Sequence, residues 1–257
     1  EPAMTAMYEL TQRFSSEFAV RPFIERYPKK TLSRLKKWTR DPNPHVRRWC
    51  SEGCRPRLPW GVRLNDLVDD PAPCLEIIER LKDDPELYVR RSVANNLNDI
   101  AKDHPEIVVE TCRRWWSDGS QERRWIVQHA LRSLIKKGHP GALDVLGYGA
   151  PKNIAATLKV TPKRVRVGED VRLNLQLEGA AKQPLMVDYG IHYVLANGKT
   201  GRKVFKWKKL DAKSEGVLEK KHSMRETTIR TLRPGRHRVD VQINGHVVAE
   251  SYFDLRE

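Results

Sequence analysis

Leu35-Lys36-Lys37-Trp38-Thr39-Arg40-Asp41-Pro42-Asn43-Pro44-His45-Val46-Arg47-Arg48 decides the fold of the first half of the chain, because its pattern returns. Leu81-Lys82-Asp83-Asp84-Pro85 precedes Val89-Arg90-Arg91, and Trp115-Trp116-Ser117-Asp118 precedes Arg123-Arg124. The arginine pairs recur at intervals of 43 and 33 residues. A helix, a short Asp/Pro turn and a second helix opened by Val-Arg or Arg-Arg make one hairpin, and hairpins at this period stack into a solenoid. The third copy lacks the valine and is looser.

The spacing from Asp41 to Val46, and from Asp84 to Val89, resembles that of HEAT repeats. Second helices of such stacks commonly line one concave surface. The repeated arginines, Arg47, Arg48 and Arg91 among them, would then form a basic stripe suited to tracking a nucleic-acid backbone. The same arginines could instead pair with acids of neighbouring hairpins. Upstream, Thr5 to Tyr27 is expected to form one or two helices, with Pro22 as a kink or break. Helical grammar therefore covers residues 1–150.

The stretch from His45 to Trp60 concentrates the chemistry. Val46, Trp49 and Cys50 share one helical face. Arg48, Glu52 and Arg55 follow at i, i+4, i+7, one stripe if the helical turn lasts that far. Arg57 and Trp60 come after it in a Gly/Pro-broken loop. A carboxylate among guanidinium groups, with an aromatic ring nearby, suits chemistry beside a phosphodiester. It is equally the pattern of a surface salt-bridge ladder.

Near Gly147-Tyr148-Gly149-Ala150-Pro151 the pattern changes to period-two alternation. Strands are expected at Ile154–Val160, Val171–Leu177, Met186–Leu195, Lys203–Lys208, Val239–Ile243 and Val247–Phe253, with hairpin signals at Asn197-Gly198 and Asn244-Gly245. Residues 152–257 thus read as an immunoglobulin-like β-sandwich. The whole chain has 48 basic and 33 acidic residues, net +15. Residues 151–257 hold 22 basic against 12 acidic residues, so the sandwich carries most of the excess. That charge favours a polyanionic partner and makes the sandwich a candidate clamp. Apolar runs are too short to span a membrane. Cys50, Cys54, Cys74 and Cys112 form no CxxC pair and read as reduced, mostly buried thiols of a cytoplasmic protein. The opening Glu1-Pro2-Ala3-Met4 suggests that more chain lies upstream.

A helical repeat array joined to a basic Ig-like domain is an uncommon pairing. With Phe14-Ser15-Ser16-Glu17-Phe18-Ala19-Val20-Arg21-Pro22-Phe23, Arg47–Trp60 and Ala94–Asp99, it resembles the AlkC-type DNA alkylation-repair glycosylases over nearly its whole length. The resemblance implies a right-handed α-α superhelix of HEAT-like hairpins followed by the Ig-like sandwich. It implies a bacterial, nucleoid-associated monomer that acts without metal or cofactor on double-stranded DNA. Cationic N-alkylated bases, chiefly 3-methyladenine, would be excised without full extrusion into a pocket. By motif it gives Glu17, Glu52 and Asp99 as functional acids, and Arg48, Arg55 and Trp60 as DNA contacts.

Such acids suit the reaction. A 3-methylated adenine is already cationic and leaves well. The remaining tasks are to stabilise an oxocarbenium-like sugar and to position a water. Asp99 is the first choice for the water; Glu52 and Glu17 would stabilise the sugar cation. A non-catalytic DNA-binding scaffold is the alternative, since most helical repeats are binding modules.

Overall fold

The computed structural model describes residues 2–117, 119–179, 183–212, 216–228 and 231–257. Asp118, expected in the third inter-helix turn, lies outside the described residues. The chain divides into two compact units, Glu1–Leu134 and Ile135–Glu257.

The first unit is helical. It runs α1 (Pro2–Thr11), α2 (Arg21–Arg26), α3 (Pro28–Trp38), α4 (Pro44–Gly53), α5 (Asn65–Asp69), α6 (Ala72–Leu81), α7 (Leu87–Ile100), α8 (Pro105–Ser117) and α9 (Gln121–Ala130), and α10 (Arg132–Lys137) spans the boundary. The hairpins α3/α4, α6/α7 and α8/α9 are the three expected repeats. Their second helices pack in succession, α4 on α7 and α7 on α9. The inter-helix turns explain why the pattern repeats. Asp41 Oδ1 accepts the Asn43 amide at 2.8 Å, and Asp84 Oδ1 accepts the Glu86 amide at 2.9 Å. These Asx turns stop one helix and start the next. Asn43 then caps α4 by accepting the His45 amide, with Pro44 at its first turn.

Arg47 and Arg90 occupy equivalent places and do the same work. Arg47 Nη1 donates to the carbonyls of Asp41 and Pro42, both at 2.9 Å. Arg90 Nη1 donates to those of Asp84 and Pro85 at 2.8 and 2.7 Å. Arg47 also reaches the Asp84 carboxylate of the next hairpin, Nε to Oδ2 at 2.6 Å and Nη2 to Oδ1 at 3.1 Å. Arg123 makes the analogous bidentate pair with Asp83. Beneath this ladder lies the apolar core. Val46, Trp49 and Cys50 are fully buried, as are Leu35, Ile78, Val89, Val93, Leu97, Val108, Cys112 and Ile126. Trp38 stacks on Trp49 at 5.3 Å. Of the expected Trp pair, Trp115 is buried, and Trp116, partly exposed, lies under Arg124. All four cysteines are free and buried.

The second unit begins with the end of α10 and α11 (Pro140–Val145), then forms a sandwich. Its strands are β1 (Ala155–Thr161), β2 (Arg164–Arg166), β3 (Asp170–Glu178), β4 (Leu185–Val194), β5 (Thr200–Leu210), β6 (Gly216–Ser223), β7 (Gly235–Ile243) and β8 (His246–Arg256). Sheet orders are β1-β3-β6 and β2-β8-β7-β4-β5. Inward residues of both sheets, including Val160, Leu173, Leu175, Val187, Ile191, Val241 and Phe253, make the core. The six expected strands form, each shifted by a few residues at most. β2 and β6 are additions to that set: β2 has three residues, and the glutamate and lysines of β6 blur its alternation.

Secondary structure changes where expected, but the packing boundary lies earlier, at 134/135 instead of 151. The Asn244-Gly245 turn accounts for the difference. Both residues have positive φ, 48° and 81°, as a tight hairpin requires. A Cβ on Gly138 would sit 2.6 Å from the Gly245 carbonyl oxygen, and Asn244 Nδ2 donates to the Gly149 carbonyl at 2.8 Å. Residues 135–153 are thus tied to the β7–β8 hairpin. Among the described residues, no helix is long and apolar enough to cross a membrane.

Candidate active site

Three segments distant in sequence bring carboxylates together in the helical unit. Glu17 lies in the turn between α1 and α2, outside any helix. Glu52 ends α4. Asp99 is the penultimate residue of α7. Relative exposures of 6% for Glu52 and 3% for Asp99 mean that partners must offset their burial.

Two guanidinium groups link all three acids. Arg48 lies 3.3 Å from Glu17 Oε2 and 3.6 Å from Glu52 Oε1. Arg55 donates from Nη1 to Glu52 Oε1 at 2.6 Å and from Nε to Asp99 Oδ2 at 2.8 Å. Beyond Asp99 the chain of charges continues to Lys102, whose Nζ donates to Oδ1 at 2.9 Å. The order is Glu17, Arg48, Glu52, Arg55, Asp99, Lys102, with alternating sign throughout. The stripe of Arg48, Glu52 and Arg55 survives although α4 ends at Gly53, because Arg55 folds back onto Glu52. Burial disfavours the Arg55 charge, but the Glu52 and Asp99 carboxylates outweigh it and hold its pKa above the ordinary arginine value.

Neutral groups complete the arrangement. Ser92 Oγ donates to Glu52 Oε2 at 2.6 Å. Arg48 Nη1 donates to Ser15 Oγ at 2.5 Å, and its guanidinium lies over the Tyr88 ring at 5.2 Å. Glu17 Oε2 is buried and has no hydrogen-bond partner among the described residues; Arg48 is near in distance but misaligned. Anionic oxygens fixed beside guanidinium groups can stabilise developing positive charge and accept a proton from water.

The remaining expected contacts separate. Trp60 is 99% exposed at the tip of the loop after α4, with a φ of 62° that a tryptophan seldom adopts. Arg91 is exposed on α7, and its charge, with that of Arg132, helps burial to lower the His129 pKa. Arg47 requires a correction. Its donors are taken up by Asp84 and two carbonyls, so it staples hairpins together and has no place in a phosphate-gripping stripe.

Arg21 was missed by sequence reasoning. It is 1% exposed and holds the loop that carries Arg55 and Trp60, donating to the carbonyls of Gly53, Arg55 and Val62 at 3.1, 2.9 and 2.7 Å. Burial lowers its pKa. It stands beside Pro22 in the quoted Phe14–Phe23 stretch, but nothing local says that it reaches a loop 32 to 41 residues on.

Residues 14–134 match the family of DNA alkylation repair enzymes, and residues 154–257 match the C-terminal Ig-like domain of the uncharacterised protein YhaZ. YhaZ of Bacillus subtilis (strain 168) is 39% identical over 253 residues, covering 96% of this chain and 70% of its own length. The solved structure of Pseudomonas fluorescens alkylpurine DNA glycosylase AlkC, bound to DNA containing an abasic site analogue, aligns at 42% identity with a TM-score of 0.91. That alignment covers 99% of this chain and 72% of that one. The chain belongs to the AlkC-type DNA alkylation repair family. Membership accounts for the pairing of helical repeats with an Ig-like sandwich, and it identifies the chain as a DNA repair enzyme.

Proposed function

We propose that this AlkC-type enzyme is a monofunctional DNA glycosylase for cationic N-alkylated bases such as 3-methyladenine in duplex DNA. The observation that carries the reading is the convergence of Glu17, Glu52 and Asp99 on two shared guanidinium groups. The C1′–N bond breaks with its electron pair leaving on the base, which departs neutral. Glu17 and Glu52 stabilise the sugar cation left behind. Asp99 accepts the proton of the water that adds to C1′. Because the base carries its positive charge before the bond breaks, no acid need protonate it, and attack at C1′ does not require extrusion into an enclosing pocket. Arg48 and Trp60 face the bound duplex, and the basic sandwich clamps the backbone.

Base release from methylated duplex DNA by the full-length protein tests this. Asp99→Asn and Glu52→Gln are expected to reduce release on the order of 100-fold or more while leaving duplex affinity within a few-fold. Equal release by wild type and both variants would reduce the protein to a DNA-binding scaffold.

A further inference from the structure

Both oxygens of Asp99 are held by cations, and the two cations differ in kind. Arg55, on Oδ2, is 7% exposed, is bonded to Glu52 as well, and has its own carbonyl held by Arg21. Withdrawing it would take the shared partner from two buried carboxylates. Lys102, on Oδ1, follows the end of α7 and has a side chain 47% exposed. It is a compact, strongly hydrated charge on a flexible stem. Of the two, only Lys102 can leave without loss of buried pairing. A carboxylate with both oxygens in ion pairs is a poor acceptor for a water proton, so one partner must give way before Asp99 acts.

We propose that Lys102 is a positioning residue that covers Asp99 Oδ1 in the free protein and is drawn onto a phosphate when duplex DNA binds, opening that oxygen to the water. This rests on Asp99 being the acid that activates water. The Lys102 side chain reaches solvent as well as Asp99. Beside it, Arg57 is paired with Asp103 at 2.6 Å through both nitrogens, so the neighbouring guanidinium is already engaged. The charges facing Asp99 are Arg55 from the segment after α4, Arg132 from α10, Glu52 from α4 and, farther out, Arg57. None of them changes when Lys102 is replaced.

If Lys102 has left Asp99 for a phosphate in the complex, Lys102→Met removes nothing from around the reacting water, so kcat stays in place while KM rises. Neutralising one phosphate fewer also reduces the slope of log Kd against log salt by about 0.9.

The experiment is kcat and KM for base release from methylated duplex, with salt-dependent binding to the same duplex, for wild type, Lys102→Met and Lys102→Arg. An unchanged kcat, a raised KM and a reduced salt slope in Lys102→Met, with KM and slope restored in Lys102→Arg, are expected. A changed kcat, or an unchanged salt slope, would mean that Lys102 never changes partner. Wild-type protein without base release would instead sink the glycosylase reading. In that case an unchanged salt slope in Lys102→Met would still overturn the transfer to phosphate.

Discussion

Trp60 shows at the scale of a residue how function and stability pull apart. Its ring is almost wholly exposed and its backbone is left-handed. A non-glycine residue held there costs about 1–2 kcal/mol. Burial gives nothing back, and the loop is pinned from below by Arg21. An exposed aromatic ring on a strained, anchored backbone motivates the proposal that Trp60 contacts DNA. Trp60→Gly is therefore expected to raise stability by up to about 1 kcal/mol, since glycine accepts this φ without strain, and to slow base release at least several-fold. A raised urea midpoint together with undiminished release would remove Trp60 from the site. Glu17 makes the complementary point: its motif singles it out, but the turn between α1 and α2 aims its unpartnered oxygen.

At the scale of elements, the tandem arginines split into two jobs that the repeat pattern does not distinguish. The first of each pair, Arg47 or Arg90, binds the turn before its own helix, and Arg47 also binds the next hairpin. The second, Arg48 or Arg91, is left for the surface or the site. Hairpins in a solenoid are held by nearest-neighbour contacts, so a staple has a cooperative effect. Arg47→Ala leaves Asp84 buried at 8% exposure without its bidentate partner. The expected loss is about 3 kcal/mol, the scale for breaking a buried ion pair. The salt slope of DNA binding should stay unchanged. Thermal denaturation and a salt titration decide it: a flatter slope with an unchanged Tm would return Arg47 to the DNA-contacting stripe.

Charge on the whole molecule is not spread evenly, and the sandwich concentrates it. β5 is an edge strand bearing exposed Lys203, Lys206 and Lys208. Lysines on an edge prevent strand addition by another chain, and they also suit a phosphate backbone. Exchanging all three for glutamine is expected to weaken duplex binding at least several-fold and to lower the salt slope by roughly one unit for each phosphate no longer neutralised. The folding transition should be unaffected, because these side chains are solvent-exposed. Unchanged affinity would leave the sandwich's charge with solubility as its role.

The chain's own periodicities determined the order of helices before strands, the Asp-turn repeats and six of the eight described strands. These rest on local rules: turn chemistry, capping, and the helical or alternating spacing of apolar residues. Glu52 stood out locally as the carboxylate of the Arg48–Arg55 stripe, whereas Glu17 and Asp99 were legible only through motif resemblance, since neither has a local signature of its own. Tertiary structure alone decided which distant charges meet. Arg55 reaches Asp99 across 44 residues, and Arg21 supports a loop up to 41 residues away. Charge pairing in a buried site depends on distance in space, and a linear pattern records only distance along the chain.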